Sequence, residues 1–270
     1  VTANGGTVST NTLAAVSTFC ASIDATSGLR AAILRLNLFC GNSDASLNAV
    51  RTPLYLSGSL GGATLGNTTD TNFNFAQADY AETGSSGGLK GNGTTKYLNT
   101  GVSPSNISSL NSIHLSVSGT SFEVSGDANA IGSYNGGASP GGDIYAVDIY
   151  ASYVNARAVR LSNYSAPAGP QFPVISSPGT SESHLIGTRT SSNLATMFRG
   201  GASAATNSTN VTATSHTRPF FVFALNNTGS PASYTAGRLR MYSIGNGLTA
   251  AQALAFSNAV IAFNTTLGRA

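Results

Sequence analysis

Charge is scarce in this sequence. Asp, Glu, Lys and Arg make up 9 % of its 270 residues, where an average soluble domain carries about 25 %. Disorder needs low hydrophobicity together with high net charge. A net charge of +3 and 41 % hydrophobic residues argue for a folded domain instead. Solubility then rests on hydroxyls and amides, a surface common in assembled or extracellular structures. Only Lys90 and Lys96 are lysines. The arginines are scattered, with no basic run and no interleaved aromatics, so nucleic-acid binding has no support beyond a weak global charge. No apolar run approaches the roughly 20 residues of a membrane span. No signal peptide is visible, and the chain starts at Val1 without Met. That start fits a processed piece of a longer product or a sequence incomplete at its beginning.

Cysteine is limited to Cys20 and Cys40, which fit neither a zinc pattern nor a CxxC redox motif. Both lie in apolar helical contexts. They read as two small core residues or as one disulfide stapling two N-terminal segments. A reactive thiol would need a base, and none is near in sequence.

Catalytic signatures are missing too. His114, His184 and His216 form no HxH or HExxH spacing. They read as structural or surface residues, two in strand patterns and one in a loop. There is no GxSxG elbow. The ten carboxylates show no ExDxxE pattern of the kind a strand-borne glycosidase pair would need. Asp143 and Asp148 would face opposite sides of a regular strand. Asp70-Thr71-Asn72 opens like a calcium loop but lacks the following Gly and distal Glu. Gly126-Asp127 and Gly141-Gly142-Asp143 allow a loop calcium, with a metal-free turn the simpler reading. No other cofactor is expected.

What the chain does have is turns. Gly accounts for 31 residues, and Gly, Ser, Asn and Pro clusters separate short alternating runs. From residue 110 these runs are Ile113–Val117, Phe122–Val124, Ile144–Tyr150, Val154–Leu161, Leu185–Arg189, Ala195–Arg199, Pro219–Leu225 and Leu239–Ile244. Many short strands with frequent turns predict an all-β sandwich or jelly roll. In the last strand Leu239, Met241 and Ser243 should share one face, with Arg238, Arg240, Tyr242 and Ile244 on the other. Tyr134, Tyr145 and Tyr150 fall in the tyrosine-rich stretch 134–164. They are candidate sugar-stacking residues, although alternation in a sheet explains them more simply. The sequons at Asn67, Asn92, Asn106, Asn163, Asn207, Asn210, Asn226 and Asn264 matter only in a eukaryotic host.

Both ends are helical. Leu13, Val16, Phe19, Cys20 and Ile23 keep helical spacing behind candidate caps Ser9, Thr10 and Asn11. Leu29, Ile33, Leu34 and Leu36 predict a second short helix ending near 37–41, with Arg30 and Arg35 on its wet side. Two short amphipathic helices cannot bury their faces alone, so residues 1–56 are expected to be an attachment segment. Residues 57–270 would be the β domain, entered through the loop-rich stretch 57–101. At the far end Thr249 and Gln252 have capping-box spacing. Phe256, Val260, Phe263 and Leu267 form one apolar stripe, and Gly268 fits the left-handed C′ position with Arg269 after it.

The run Arg240-Met241-Tyr242-Ser243-Ile244-Gly245-Asn246-Gly247-Leu248-Thr249-Ala250-Ala251-Gln252-Ala253, continued by Phe263 to Arg269, resembles the C-terminal part of tailed-phage and prophage virion structural proteins. Leu185 to Ser192 with Met197-Phe198-Arg199-Gly200-Gly201 is similar to a strand–hairpin pair of that group. Asn4 to Val8, Leu36 to Gly41, Asp70 to Phe75 and Gly91 to Gly101 extend the resemblance over most of the chain. It implies a concanavalin A-like, laminin-G-type jelly roll with short N-terminal helices and a C-terminal helix. It also implies a tail fibre, spike or capsid decoration on the virion surface, partnered by other virion proteins or by copies of itself, and touching host-surface glycans. No catalytic residue comes with it. The alternatives on the same fold are a polysaccharide-degrading glycosidase or lyase and a free-standing bacterial carbohydrate-binding protein.

Overall fold

The computed structural model describes residues 8–41, 47–59, 62–120, 126–135, 147–151, 156–159, 161, 174–176, 182–210 and 215–269. Along the chain run α1 (Thr10–Asp24), α2 (Leu29–Ala32), β1 (Ile33–Asn37) and α3 (Leu47–Val50). Short strands follow: β2 (Thr71–Phe73), β3 (Tyr80–Ala81), β4 (Gly88–Lys90) and β5 (Tyr97–Asn99). Then come β6 (Ile113–Thr120), β7 (Gly126–Asn129), β8 (Ile131–Tyr134), β9 (Val147–Ala151), β10 (Ala156–Val159) and β11 (Val174–Ser176). The last strands are β12 (Glu182–Ser191), β13 (Leu194–Arg199), β14 (Ala202–Asn207), β15 (Phe221–Val222), β16 (Leu225–Asn227), β17 (Ser230–Ala232) and β18 (Arg238–Gly245), before helix α4 (Ala250–Thr266).

The protein is mainly β, a two-sheet sandwich with helices at both ends. One sheet has the order β14-β13-β12-β6-β18-β4-β3, with β1 also paired to β18. The other has the order β17-β16-β8-β15-β5-β2, and β7, β9, β10 and β11 form a small third sheet. The chain changes main sheet at β1–β2, β2–β3, β4–β5, β5–β6, β14–β15 and β17–β18, and passes from β6 to β8 by way of β7, the repeated crossing of a jelly roll. Leu89, Ile113, Leu115, Val117 and Leu239 of the first sheet meet Leu98, Ile131 and Val222 of the second in one core.

The first sheet is buried on both sides. Seven of the eight β6 residues are buried. Ile113, Leu115 and Val117 face the second sheet, and period-2 alternation sends His114, Ser116 and Ser118 to the other face. There α1 and α4 cover the sheet through Phe19, Ile23, Phe256, Val260, Phe263 and Leu267. The α4 termini follow the sequence signals. Thr249 and Gln252 form a reciprocal capping box, and Gly268 takes φ +65°. The α1 cap is Ser9, whose hydroxyl accepts from the Thr12 amide.

Four expectations need correction. The second N-terminal helix is a single turn, α2. Ile33–Asn37 is instead strand β1, paired antiparallel with β18, because a free edge of the large sheet offers five residues more hydrogen bonding than another helical turn would. Arg35 is therefore not on a wet side but completely buried. Leu13 is 58 % exposed while Thr12 and Ala15 are buried, so the buried stripe of α1 is turned away from Leu13. In β18 the register slips between Leu239 and Met241. This bulge lets Leu239 join Tyr242 and Ile244 in the inter-sheet core while Met241 faces the helices. Strand β1, inside the expected attachment segment 1–56, joins the large sheet through its pairing with β18.

Candidate functional site

The outward face of the second sheet carries an aromatic row. Leu98, Ile131 and Val222 point into the core, so their neighbours Tyr97, Asn99, Gly132 and Phe221 point away from it. Register places Phe73 opposite Tyr97 and Thr71 opposite Asn99. Phe221 lies opposite both Asn99 and Gly132. The Phe73 and Tyr97 rings stack at 4.2 Å with 5° between planes. Tyr97 also meets Phe221 at 4.6 Å and Tyr234 edge-on at 6.2 Å. Tyr97 and Phe221 are nearly covered by this packing, whereas Phe73 and Tyr234 stay half-exposed. Burial raises the pKa of Tyr97, with Tyr234 adding to it, and burial also raises Tyr234. Both phenols are neutral donors at ordinary pH.

Beside this row lies an open depression of about 400 Å³ lined by Asn99, Asn135, Arg218, Phe221, Asn226 and Gly229, with Thr217 and Pro219. Its wall is fixed from within. Asn226 donates to the Pro219 carbonyl at 2.7 Å and accepts from the Gly229 amide at 2.8 Å, holding the β16–β17 turn against the end of β15. Arg218 Nε donates to Asn135 Oδ1 at 2.8 Å. Gly229 has φ +102°, and a Cβ there would stand 2.7 Å from Arg218 Nη1. The positive φ of this turn is what favours glycine here. His216, two residues before Arg218, is pushed down to about 4 by burial and by Arg218, so it is neutral at ordinary pH.

Of the tyrosines singled out from sequence, Tyr134 ends β8, in the sheet that bears the aromatic row, and is half-buried. Tyr150 lies in β9 of the small sheet, and Tyr145 lies outside the described residues. Sequence reasoning missed Tyr97, Asn99, Phe221, Tyr234 and Arg218. The strands holding Tyr97 and Phe221 were legible, but the register that sets them side by side is not encoded in local periodicity. Cys20 and Cys40 are free thiols at the margin of the cluster formed by α1 and α4. Burial pushes the Cys40 thiol up to about 12, which makes it an inert packing residue rather than a nucleophile.

The remaining polar clusters are interior. Asp70, considered above as the start of a calcium loop, has its carboxylate enclosed by protein donors. Arg35 Nη2 reaches it at 2.6 Å, Tyr242 Oη at 2.7 Å and Asn37 Nδ2 at 3.1 Å. Arg35 also donates to the Leu65 and Asn67 carbonyls, at 2.8 Å each. Burial opposes its charge, yet Tyr242 and Asp70 outweigh that and raise its pKa. Glu82 accepts from Thr12 Oγ1 and from the Gly41 amide. Asp79 pairs with Lys96. Among the described residues no group of three or more His, Cys, Asp or Glu side chains could hold a metal.

His114 and His184 form the ends of a buried chain between sheet and α4. His114 Nδ1 lies 2.6 Å from the Asn246 carbonyl. A carbonyl only accepts, so Nδ1 carries the proton and Nε2 accepts from Ser243 at 2.9 Å. Ser243 must then accept from Ser116 at 2.7 Å. Ser116 accepts from His184 Nε2 at 3.1 Å. His184 Nδ1 in turn accepts from Ser257 of α4 at 3.0 Å. One carbonyl thus orients five hydrogen bonds in series. Both imidazoles are fully buried, so this Ser–His arrangement cannot meet a substrate.

Comparison with known proteins finds no matching family model and no matching curated protein. Among solved structures, a variant of NanB sialidase from Streptococcus pneumoniae is 14 % identical with a TM-score of 0.41, over 60 % of this chain and 26 % of that one. A mutant Trypanosoma rangeli sialidase displaying trans-sialidase activity is 13 % identical at 0.42, over 74 % and 35 %. CBM40 of the Ruminococcus gnavus IT-sialidase, bound to α2,3-sialyllactose, is 11 % identical at 0.37, over 53 % and 81 %. This chain spans about a quarter of the NanB chain. Likeness at this level assigns neither a family nor an activity.

Proposed function

We propose that this chain is a non-enzymatic glycan-binding module. The observation that carries the reading is an outward aromatic cluster, in which Phe73 and Tyr234 stay partly exposed against the buried Tyr97 and Phe221, beside a depression walled by amides and one guanidinium. Aromatic faces bind the apolar side of a sugar ring, and fixed amide groups address its hydroxyls. Support for a role without chemistry comes from the carboxylates. Asp70, Asp79 and Glu82 are engaged by protein partners, and none lines the depression. The proposed setting is a phage virion surface, as tail fibre, spike or capsid decoration. That part rests on the resemblance carried by Arg240–Ala253 and Phe263–Arg269. Assembly with other virion proteins or with copies of this chain belongs to the same proposal, and exposed Leu13 of α1 offers an apolar contact for it.

The test is incubation of purified protein with host capsule or lipopolysaccharide, followed by sizing of the glycan and a separate binding assay. Binding without loss of glycan length is expected, at micromolar or weaker affinity. Phe73→Ala, at a half-exposed position, should weaken it several-fold, the effect of losing about 0.5–1.5 kcal/mol of stacking. Depolymerisation that disappears on replacing an Asp or Glu would overturn the proposal in favour of an enzyme.

A further inference from the structure

Every side-chain amide oxygen lining the depression already accepts a hydrogen bond from within the protein. Asn99 Oδ1 accepts from the Gly101 amide at 2.9 Å. Asn135 Oδ1 accepts from Arg218 Nε, and Asn226 Oδ1 accepts from the Gly229 amide. Because these donors have no acceptor capacity, they also fix which end of each amide is oxygen. The Nδ2 group of Asn226 is spent on the Pro219 carbonyl. What remains without a partner among the described residues is Asn99 Nδ2, Asn135 Nδ2, the two Nη groups of Arg218 and the Thr217 hydroxyl. All but the hydroxyl are donors only, and one group is permanently cationic. Among the described residues no Asp or Glu lines the space. A neutral sugar hydroxyl both donates and accepts, so a wall this rich in donors and poor in acceptors suits it less well than an oxyanion. An oxyanion accepts from all of them.

We propose that the depression is an anion subsite, selecting glycans whose sugars carry a carboxylate or sulfate group beside the ring that rests on the aromatic row. This rests on the glycan-binding reading and narrows it. Arg218 supplies the charge. Its Nε is held by Asn135, so less side-chain freedom is lost on binding.

The experiment is an array of acidic oligosaccharides, each beside its carboxyl-reduced or desulfated counterpart, probed with wild-type protein, Arg218→Gln and Phe73→Ala. The wild type should favour the acidic member about tenfold or more, the effect of one charge-assisted contact. Rising salt should shrink the preference. Arg218→Gln should bind both members alike, at the wild type's affinity for the neutral one. Phe73→Ala should weaken both members and keep the preference. Separate carboxylate and sulfate arms show which oxyanion is taken. Equal wild-type affinity for the pairs, or a preference that survives Arg218→Gln, overturns the anion subsite while leaving glycan binding intact. Absence of binding to any member overturns both readings.

Discussion

Lowering the pH should unseat α4. The perturbation acts on His114 and His184, which are neutral in a buried hydrogen-bond chain. Burial pushes His114 down to about 4, partly offset by its bond to the Asn246 carbonyl. Burial, with His114 nearby, pushes His184 down to about 3. The ring of Phe256 stands edge-on to both, at 6.3 Å from His114 and 4.7 Å from His184. The groups bonded to the two imidazoles are hydroxyls and one carbonyl, so no carboxylate compensates a new charge. An unfolded histidine titrates near 6.5. Between that value and the folded value the unfolded chain binds more protons, so stability falls as pH falls. The contribution is complete above about pH 6.5 and is lost progressively toward about pH 4 and below. Each histidine withdraws about 1.4 kcal/mol per pH unit. At about pH 5 the pair has withdrawn ~4 kcal/mol, against a total stability of about 5–15 kcal/mol for a typical domain.

The assay is urea unfolding followed by tyrosine fluorescence and circular dichroism, since the chain has no tryptophan. The window from about pH 7 to about pH 5 stays above the usual carboxylate range. His184→Gln should remove roughly half of the slope contributed by the pair. Ser257→Ala keeps the imidazole and loses only its donor, so it should lower stability by about 1 kcal/mol while preserving the slope. A stability that is flat across this window, or a slope unchanged in His184→Gln, would refute the reasoning.

Two further substitutions probe the packing. Phe263→Ala removes a ring that is 2 % exposed and 6.1 Å from Phe19; calorimetry should report a loss of about 3–5 kcal/mol, and a loss near zero would mean that α4 does not cover the sheet. Asp70→Asn leaves the buried Arg35 guanidinium without its counter-charge and should cost about 3–5 kcal/mol by denaturant unfolding. Adding Arg35→Met should recover part of that loss, and a strictly additive double variant would show that the two side chains do not interact.

The parts of the fold legible in the sequence are those governed by short-range rules. The α4 cap, its apolar stripe and its glycine stop lie within one helix, and each sits where its spacing indicates. The long strands of the large sheet, β6, β12, β13 and β18, were legible because alternation is local, whereas β7, β8, β11, β14 and β17 were not, and the expected run Phe122–Val124 lies outside the described residues. Non-local pairing was not legible. Ile33 to Asn37 has apolar residues at helical spacing, and nothing within the segment says that β18 offers it an edge. The bulge at Leu239–Met241 defeats alternation because one extra residue reverses every face before it. The candidate site suffered the same way. Tyr97 and Phe221 are separated by more than a hundred residues, and only the order of the second sheet makes them neighbours.

The basic composition takes on a different meaning once these placements are known. A chain with many turns exposes many backbone carbonyls that no ladder can satisfy, and an arginine fork satisfies several at once. Arg269 donates to the carbonyls of Leu38, Phe39 and Glu82. Arg189 donates to those of Leu161, Ser191 and Ser192, and Arg35 to those of Leu65 and Asn67. Their positive charge is interior, where it holds loops to strands and presents little to a partner. Net charge therefore overstates how basic the surface is. Arg218 differs from these three. Its Nε is held by a side-chain amide, and its Nη groups face an open depression instead of carbonyls. In a protein that uses arginine mainly to tie down its own backbone, a guanidinium with open Nη groups beside an aromatic row is the feature on which the proposed anion subsite rests.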